Sequence, residues 1–350
     1  LGLGIAAFVT FAPTFGAAPA GDSLARIKAS KNYIDGRFVN LVDTPLNTRD
    51  PNSDTGTGIG TFLFPAEGKN PSKPLPSHHF NDITLNSGEF VWFGHSTILF
   101  KTAELTVISD PVFNRASPVP FVGEPFTYTH TPALSELPPI DVVIISHDHY
   151  DHLDHKAVGD LASNVKHFLV PLGLKAHLLK WGVTAEKIIE LDWYQSQRLG
   201  SVEFTLTPTR HFSGRGVTNR FSTLWGSWVI NSADLNVYFS GDSGYFDEFK
   251  KIGLQFGPFD IAFIETGAYN EDWANVHMMP EDSVQAAVDL NAKRYFPIHW
   301  GKFDLSAHTW TDPVERASIK AAELQMPVVT PQVGEVFTMD SEQSSRWWEQ

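Results

Sequence analysis

A continuous β-branched run, DVVIIS at 141–146, passes without interruption into SHDHYDHLD at 146–154. The run suits a strand buried on both faces, so it delivers the second stretch to a strand's carboxyl end, where the chain leaves a sheet for a loop. Those nine positions hold three histidines and three aspartates. A fold alone has little use for so many titratable groups, whereas binding cations does.

Spacing sorts the groups. His147 and His149 are two apart, so an extended backbone projects both to one side and sends Asp148 to the other. As the chain turns towards the next element, Asp151 and His152 can face the same region as a second pair. The chain has no cysteine, which excludes thiolate nucleophiles and leaves any metal to His, Asp and Glu. Imidazole with carboxylate suits a borderline divalent ion, zinc above all, with manganese or iron compatible. Four ligands cannot complete two sites, so later strand ends must supply more. His211 follows VEFTLTPTR, Asp242 follows NVYFSG in a Gly-Asp-Ser turn, and His299 follows RYFPI. Singly, each reads as an ordinary turn or packed residue; beside HxHxDH all three become candidate ligands.

The rest of the chain frames this cluster. At 350 residues and 42% apolar content it can bury a large core. A formal charge of −14 with no long basic run argues against nucleic acid as a partner. Residues 1–20 form an apolar, signal-like or anchor segment, with an apolar first element packed on the domain as the plainer alternative. This predicts an exported or membrane-associated protein, as in a bacterial periplasm or envelope, and leaves the cytoplasmic face open. Residues 21–88, rich in Pro, Asn, Ser and Gly, read as an irregular arm with a short helix near Ser23–Ser30; its His78 and His79 read as solvated surface residues.

From Glu89 apolar runs of strand length appear. EFVWFGHSTILF, ELTVIS and DVVIIS are followed by a helix from about Asp154, the strand HFLV, a helix over LKAHLLKW and the strand KIIEL. Strand-like runs at 201–207, 222–230 and 235–240 follow, then a helix near 245–252, DIAFIE, a helix at 281–290, RYFPI and a helix from about Pro313. Two halves thus repeat a β-rich, then α-rich theme. The predicted class is α/β (α+β by some schemes), a four-layer αβ/βα sandwich of two sheets with helices outside.

Together these residues resemble the metallo-β-lactamase fold superfamily. WFGHST (92–97), DPVFNRASP (110–118), ELPPIDVVIISHDHYDHLD (136–154), VPLGL (170–174), LWGSW (224–228), GDSGY (241–245), FGPFDIAFIETGAY (256–269) and IHWGKF (298–303) resemble the phospholipases D that hydrolyse N-acyl-phosphatidylethanolamine and their bacterial relatives. The resemblance spans roughly Glu89 to Ala317 and makes residues 89–340 a catalytic domain of that fold. It implies two divalent metal ions, most readily Zn2+, with a bridging water or hydroxide: one ion on His147, His149 and His211, the other on Asp151, His152 and His299, with Asp242 bridging. Asp151 and Asp242 are then the catalytic carboxylates, Tyr150 and His277 line the substrate side, and His95 of the GHST turn is an outer or structural residue.

The implied reaction is hydrolysis of a phosphodiester in a phospholipid at a membrane surface, or, on the same metals, of a lactone, ester or amide in another small-molecule substrate. Glu271 and Asp272 are expected at the mouth, where they would repel an anionic lipid. SPVPFVGEPF (117–126) and the Trp347–Trp348 pair are the candidate membrane contacts, with ordinary packing as the alternative.

Overall fold

The computed structural model describes residue 8 and residues 12–49, 67–80, 84–341 and 346–349. The arm carries α1 (Gly21–Ala29) and a hairpin of β1 (Tyr33–Ile34) and β2 (Arg37–Phe38). The first half continues through β3 (Glu89–Trp92), β4 (Ile98–Lys101), β5 (Thr106–Ser109), β6 (Val142–Ile144), α2 (His155–Leu161), β7 (His167–Pro171), α3 (Lys175–Lys180) and β8 (Ile188–Leu191). The second comprises β9 (Ser196–Leu199), β10 (Val202–Thr207), β11 (Ser227–Asn231), β12 (Asn236–Phe239), α4 (Glu248–Phe256), β13 (Ile261–Glu265), α5 (Pro280–Asp289), β14 (Tyr295–Ile298), α6 (Asp312–Glu323) and β15 (Val336–Thr338).

The strands make a seven-stranded sheet, β15-β3-β4-β5-β6-β7-β8, and a six-stranded sheet, β14-β13-β12-β11-β10-β9. Each half begins with an antiparallel meander and ends in parallel strands joined through helices. The expected four-layer αβ/βα sandwich follows from side-chain alternation. Phe90 and Trp92 of β3 point between the sheets, towards Phe263 and Phe296, while Val91 and Phe93 pack with Leu153, Val158 and Leu178 of the outer helical layer. On the far side Val229, Tyr238, Ala262 and Ile264 meet Phe249, Ile252, Val284 and Ala317 of α4, α5 and α6. Each large apolar side chain so buried contributes roughly 1.5–3 kcal/mol over its exposed state.

Several expectations change. The apolar run at 222–230 is a strand only from Ser227, because Leu224 and Gly226 donate their N–H groups to Leu172 and Ser146 and so tie this stretch to the other half of the molecule. The polar edge strand β9, with its alternately exposed side chains, carries little apolar signal. The tail past Ala317 contributes β15, which pairs with β3. Trp347 and Trp348 are corrected as membrane contacts: they are 1% and 3% exposed, and Trp347 stacks on Trp300 at 5.4 Å. Loop residues Val119, Phe121 and Val122 do stand out, Phe121 being 94% exposed. Among the described residues no helix is long and apolar enough to cross a membrane. Of the apolar segment at 1–20, residues 1–7 and 9–11 lie outside the described residues, and Pro13–Phe15 form a 3-10 turn.

Candidate metal centre

The carboxyl ends of β6, β10, β12 and β14 converge where the two halves meet. That approach needs glycine: a Cβ on Gly241, whose φ is +57°, would stand 2.4 Å from Ser146 Cβ, and one on Gly267 would stand 1.9 Å from the His299 carbonyl oxygen. The GHST turn is zipped to the last ligand segment, since His95 N–H donates to Trp300 O and His299 N–H to His95 O, both at 3.0 Å. All seven predicted ligands are brought together.

Hydrogen bonds fix which imidazole nitrogens hold lone pairs. Ser146 Oγ gives its single proton to Asp110 Oδ2 at 2.6 Å, so it accepts from His147 Nδ1 at 2.9 Å and leaves His147 Nε2 bare. His211 Nδ1 donates to Val276 O at 2.9 Å, leaving its Nε2 bare as well. His149 Nδ1 lies 2.9 Å from His147 Nε2 and 3.2 Å from His211 Nε2, and Asp242 Oδ2 stands 3.7 Å from both. Two of these three nitrogens are acceptors by their outer hydrogen bonds, a convergence that a cation at its centre would satisfy.

The other group mirrors it. His152 Nδ1 donates to Asp110 Oδ2 at 2.7 Å. Its Nε2 lies 3.1 Å from Asp242 Oδ1, and His299 Nε2 lies 3.2 Å from both Asp242 Oδ1 and Asp151 Oδ2. Among the described residues, His152 Nε2, Asp242 Oδ1 and His299 Nε2 are buried without a hydrogen-bond partner. Asp242 therefore offers one oxygen to each group. These are candidate metal-binding clusters, and the donor set, all nitrogen and oxygen, fits divalent ions.

Charge follows the same division. Burial, with neighbouring imidazoles, drives the His147 pKa far down, and burial does the same to His211, so both are neutral donors. Burial would raise Asp151 and Asp242, but the surrounding histidines more than offset it and hold both well below the carboxylate range. Burial would lower His299, yet Asp242 and Asp151 push it up to about 10, a measure of how strongly this side demands positive charge.

Beyond the seven, His95 joins the second group, its Nε2 3.1 Å from Asp151 Oδ2, and burial together with the nearby His299 lowers it to about 3. Asp148 points away, as its spacing predicts, accepting from Gly214 N–H at 2.7 Å and Thr223 Oγ at 2.9 Å. Asp154 caps α2 through Lys156 N–H at 3.0 Å.

A cavity of about 480 Å³ opens over the cluster, lined by His149, Asp151, Asp242 and His299 with Leu46, Phe212, Trp273, Val276, Leu305 and Arg220. His277 lines it too, its Nδ1 on Glu265 Oε1 and 4.0 Å from Asp242 Oδ2. Burial and the Asp242 charge raise Glu265 to about 7.

Tyr150 is placed differently from the expectation. Its hydroxyl donates to the Arg215 carbonyl, the Arg215 guanidinium lies 4.3 Å over its ring, and it faces a neighbouring cavity of about 380 Å³. The motif's turn aims it there. Glu271 and Asp272 do not line the main cavity either; their backbone carbonyls accept from Thr48 of the arm, and the lining includes the cationic Arg220 instead.

Sequence reasoning missed the arm's part in this site. Leu46 and Asn47 line the cavity, and Asn275 Nδ2 donates to Pro45 O at 3.0 Å. Asn40 holds the backbone of His211, and Arg210 reaches Asp43 O at 2.9 Å. No periodicity signals such a polar strap. Asp110 and Ser146 orient two ligand rings through bonds between separate loops, which no local pattern announces.

A family model described as a Beta-lactamase superfamily domain matches residues 106–300. An uncharacterized protein of Mycobacterium tuberculosis is 38% identical over 326 residues, covering 90% of this chain and 87% of its own. The N-acyl-phosphatidylethanolamine-hydrolyzing phospholipase D 1 of Caenorhabditis elegans is 36% identical over 260 residues, covering 69% of this chain and 72% of its own. Among solved structures, Igni18, a metallo hydrolase from Ignicoccus hospitalis, superposes with a TM-score of 0.56 at 20% identity, over 73% of this chain and 99% of that one, which speaks for the fold. The chain belongs to the beta-lactamase superfamily and, within it, to the family that includes the N-acyl-phosphatidylethanolamine-hydrolysing phospholipases D.

Proposed function

We propose that this protein is a dinuclear metal hydrolase of phosphodiester bonds, cleaving N-acyl-phosphatidylethanolamine or a related glycerophospholipid to N-acylethanolamine and phosphatidic acid. The observation that carries the reading is Asp242, whose two oxygens face two separate sets of histidines. Its relation to the nematode phospholipase D supports the substrate class.

In this reading His147, His149 and His211 hold one ion, Asp151, His152 and His299 the other, and Asp242 both. Two zinc ions so held would lower the pKa of a shared water and offset charge on a phosphoryl oxygen. The chain's own groups do the rest. Asp110, Ser146 and the Val276 carbonyl hold ligand rings in the tautomer that presents a lone pair inward. His277, held by Glu265 and raised by that carboxylate against the lowering effect of burial, stands beside Asp242 as a hydrogen-bonding group for the substrate.

Arg220 suits the anionic phosphate, and Leu46, Phe212, Trp273 and Leu305 suit an apolar substituent. The exposed tip of Val119, Phe121 and Val122 supports contact with a lipid surface.

The test is to incubate zinc-loaded protein with N-acylated and plain phospholipids, lactones and cyclic phosphodiesters and to read products by mass. Phosphatidic acid with N-acylethanolamine is expected. Lactone opening with no phosphatidic acid from any lipid would replace this reading with the lactonase one.

A further inference from the structure

Two segments far apart in sequence run side by side on the flank of the molecule. Leu75 bridges Tyr128 in parallel register; Leu75 N–H donates to Thr127 O at 2.8 Å and Thr129 N–H to Leu75 O at 2.9 Å. Ser77 extends the seam, its Oγ accepting from His130 N–H at 2.8 Å. This alignment sets His79 against His130, with ring centroids 3.5 Å apart and planes tilted by 34°. The short 3-10 turn Leu134–Glu136 then folds Glu136 back, so that its Oε1 lies 2.7 Å from His130 Nε2.

The carboxylate is only half used. Glu136 is 10% exposed at its side chain, and its Oε2 is buried with no hydrogen-bond partner among the described residues. A buried carboxylate oxygen left bare is costly, and a cation removes that cost. One donor atom from each of His79, His130 and Glu136 lies within 4.8 Å of the others. Two imidazoles and a carboxylate form a donor set that zinc accepts, with a solvent molecule completing the shell where His79 is exposed.

We propose that His79, His130 and Glu136 form a separate divalent-cation site that staples the amino-terminal arm to the catalytic core. It shares no residue with the seven-ligand cluster, and its role is structural: it fastens the segment 75–79 to 127–136. In a chain without cysteine, such a staple takes the place a disulfide would hold.

The test counts metal. Full-length protein is equilibrated in buffered free zinc, separated from the excess, and its zinc measured by mass spectrometry alongside His79→Ala and Glu136→Gln. Glutamine keeps the side chain's size and its contact with His130, so folding is preserved. Both variants are expected to hold one equivalent less than the parent with hydrolysis intact, and added zinc should raise the Tm of the parent more than theirs. His211→Ala, which damages only the central cluster, should retain this equivalent. Equal zinc content in the parent and both variants would overturn the proposal, whatever the central cluster does.

Discussion

The side-chain amide of Asn40 grips the main chain of His211 at both its polar atoms, Nδ2 donating to the carbonyl at 2.7 Å and Oδ1 accepting from the N–H at 3.1 Å. A residue of the irregular arm thereby sets the backbone from which a candidate ligand projects. Asn40→Ala would leave both atoms unpaired at a buried position, costing about 1–3 kcal/mol. As a partner outside the ligands, its loss should weaken metal binding about 10–100-fold while circular dichroism stays unchanged. Competition with a coloured chelator measures this, and unaltered affinity would detach the arm from the site.

Asp242→Asn keeps one oxygen and turns an amide NH2 towards the other histidine group, so a donor replaces an acceptor where a cation should sit. His211→Ala removes one of the three nitrogens around the first position. Each should reduce turnover by about 10²–10³-fold or more and lower bound metal with the fold intact. Full activity in either variant contradicts the ligand assignment.

Removal of metal should both inactivate and destabilise. Bare imidazole nitrogens face the buried Asp242 and the partly buried Asp151 at the centre of the molecule, so a bound ion stabilises the native chain by its binding free energy. Dialysis against a chelator should lower Tm and abolish hydrolysis, and zinc should restore both. Hydrolysis that persists in metal-stripped protein would exclude this chemistry.

His308 stacks flat on Tyr269 at 4.4 Å, and burial lowers its pKa to about 4. The folded protein thus resists its protonation while the unfolded chain takes up a proton near pH 6.5. Its contribution is fully present above about pH 6.5 and is lost as pH falls towards 4. His308→Phe preserves the stack and deletes the titration. Denaturant melts of both proteins across this window should show the parent losing more stability than the variant; parallel loss would show that His308 does not titrate there.

The centre of the molecule was legible because two periodicities coincide with chemistry. A buried run of β-branched residues announces β6, alternation by two puts His147 and His149 on one side, and strand ends mark His211, Asp242 and His299. What stayed hidden depends on contacts with no local signature. Asn40 acts on His211 through a polar side chain in an aperiodic arm, and Asp110 through a bond to His152 that joins two loops. Trp347 and Trp348 look alike in sequence whether they face lipid or a tryptophan cluster; only the position of Trp300 decides. Tyr150, adjacent to two ligands in sequence, turns aside because Arg215 offers its ring a cation and its hydroxyl a carbonyl.

The pairing of β15 with β3 brings Val336 opposite Val91 and Phe337 opposite Phe90. A ribosome must therefore make the chain through Thr338 before this margin of the first sheet can be covered. Until then β3 is an open border, with its main-chain donors and acceptors available to another molecule's strand. Variants that slow arrival of this segment should show their defect as aggregation during synthesis, with the finished enzyme unharmed.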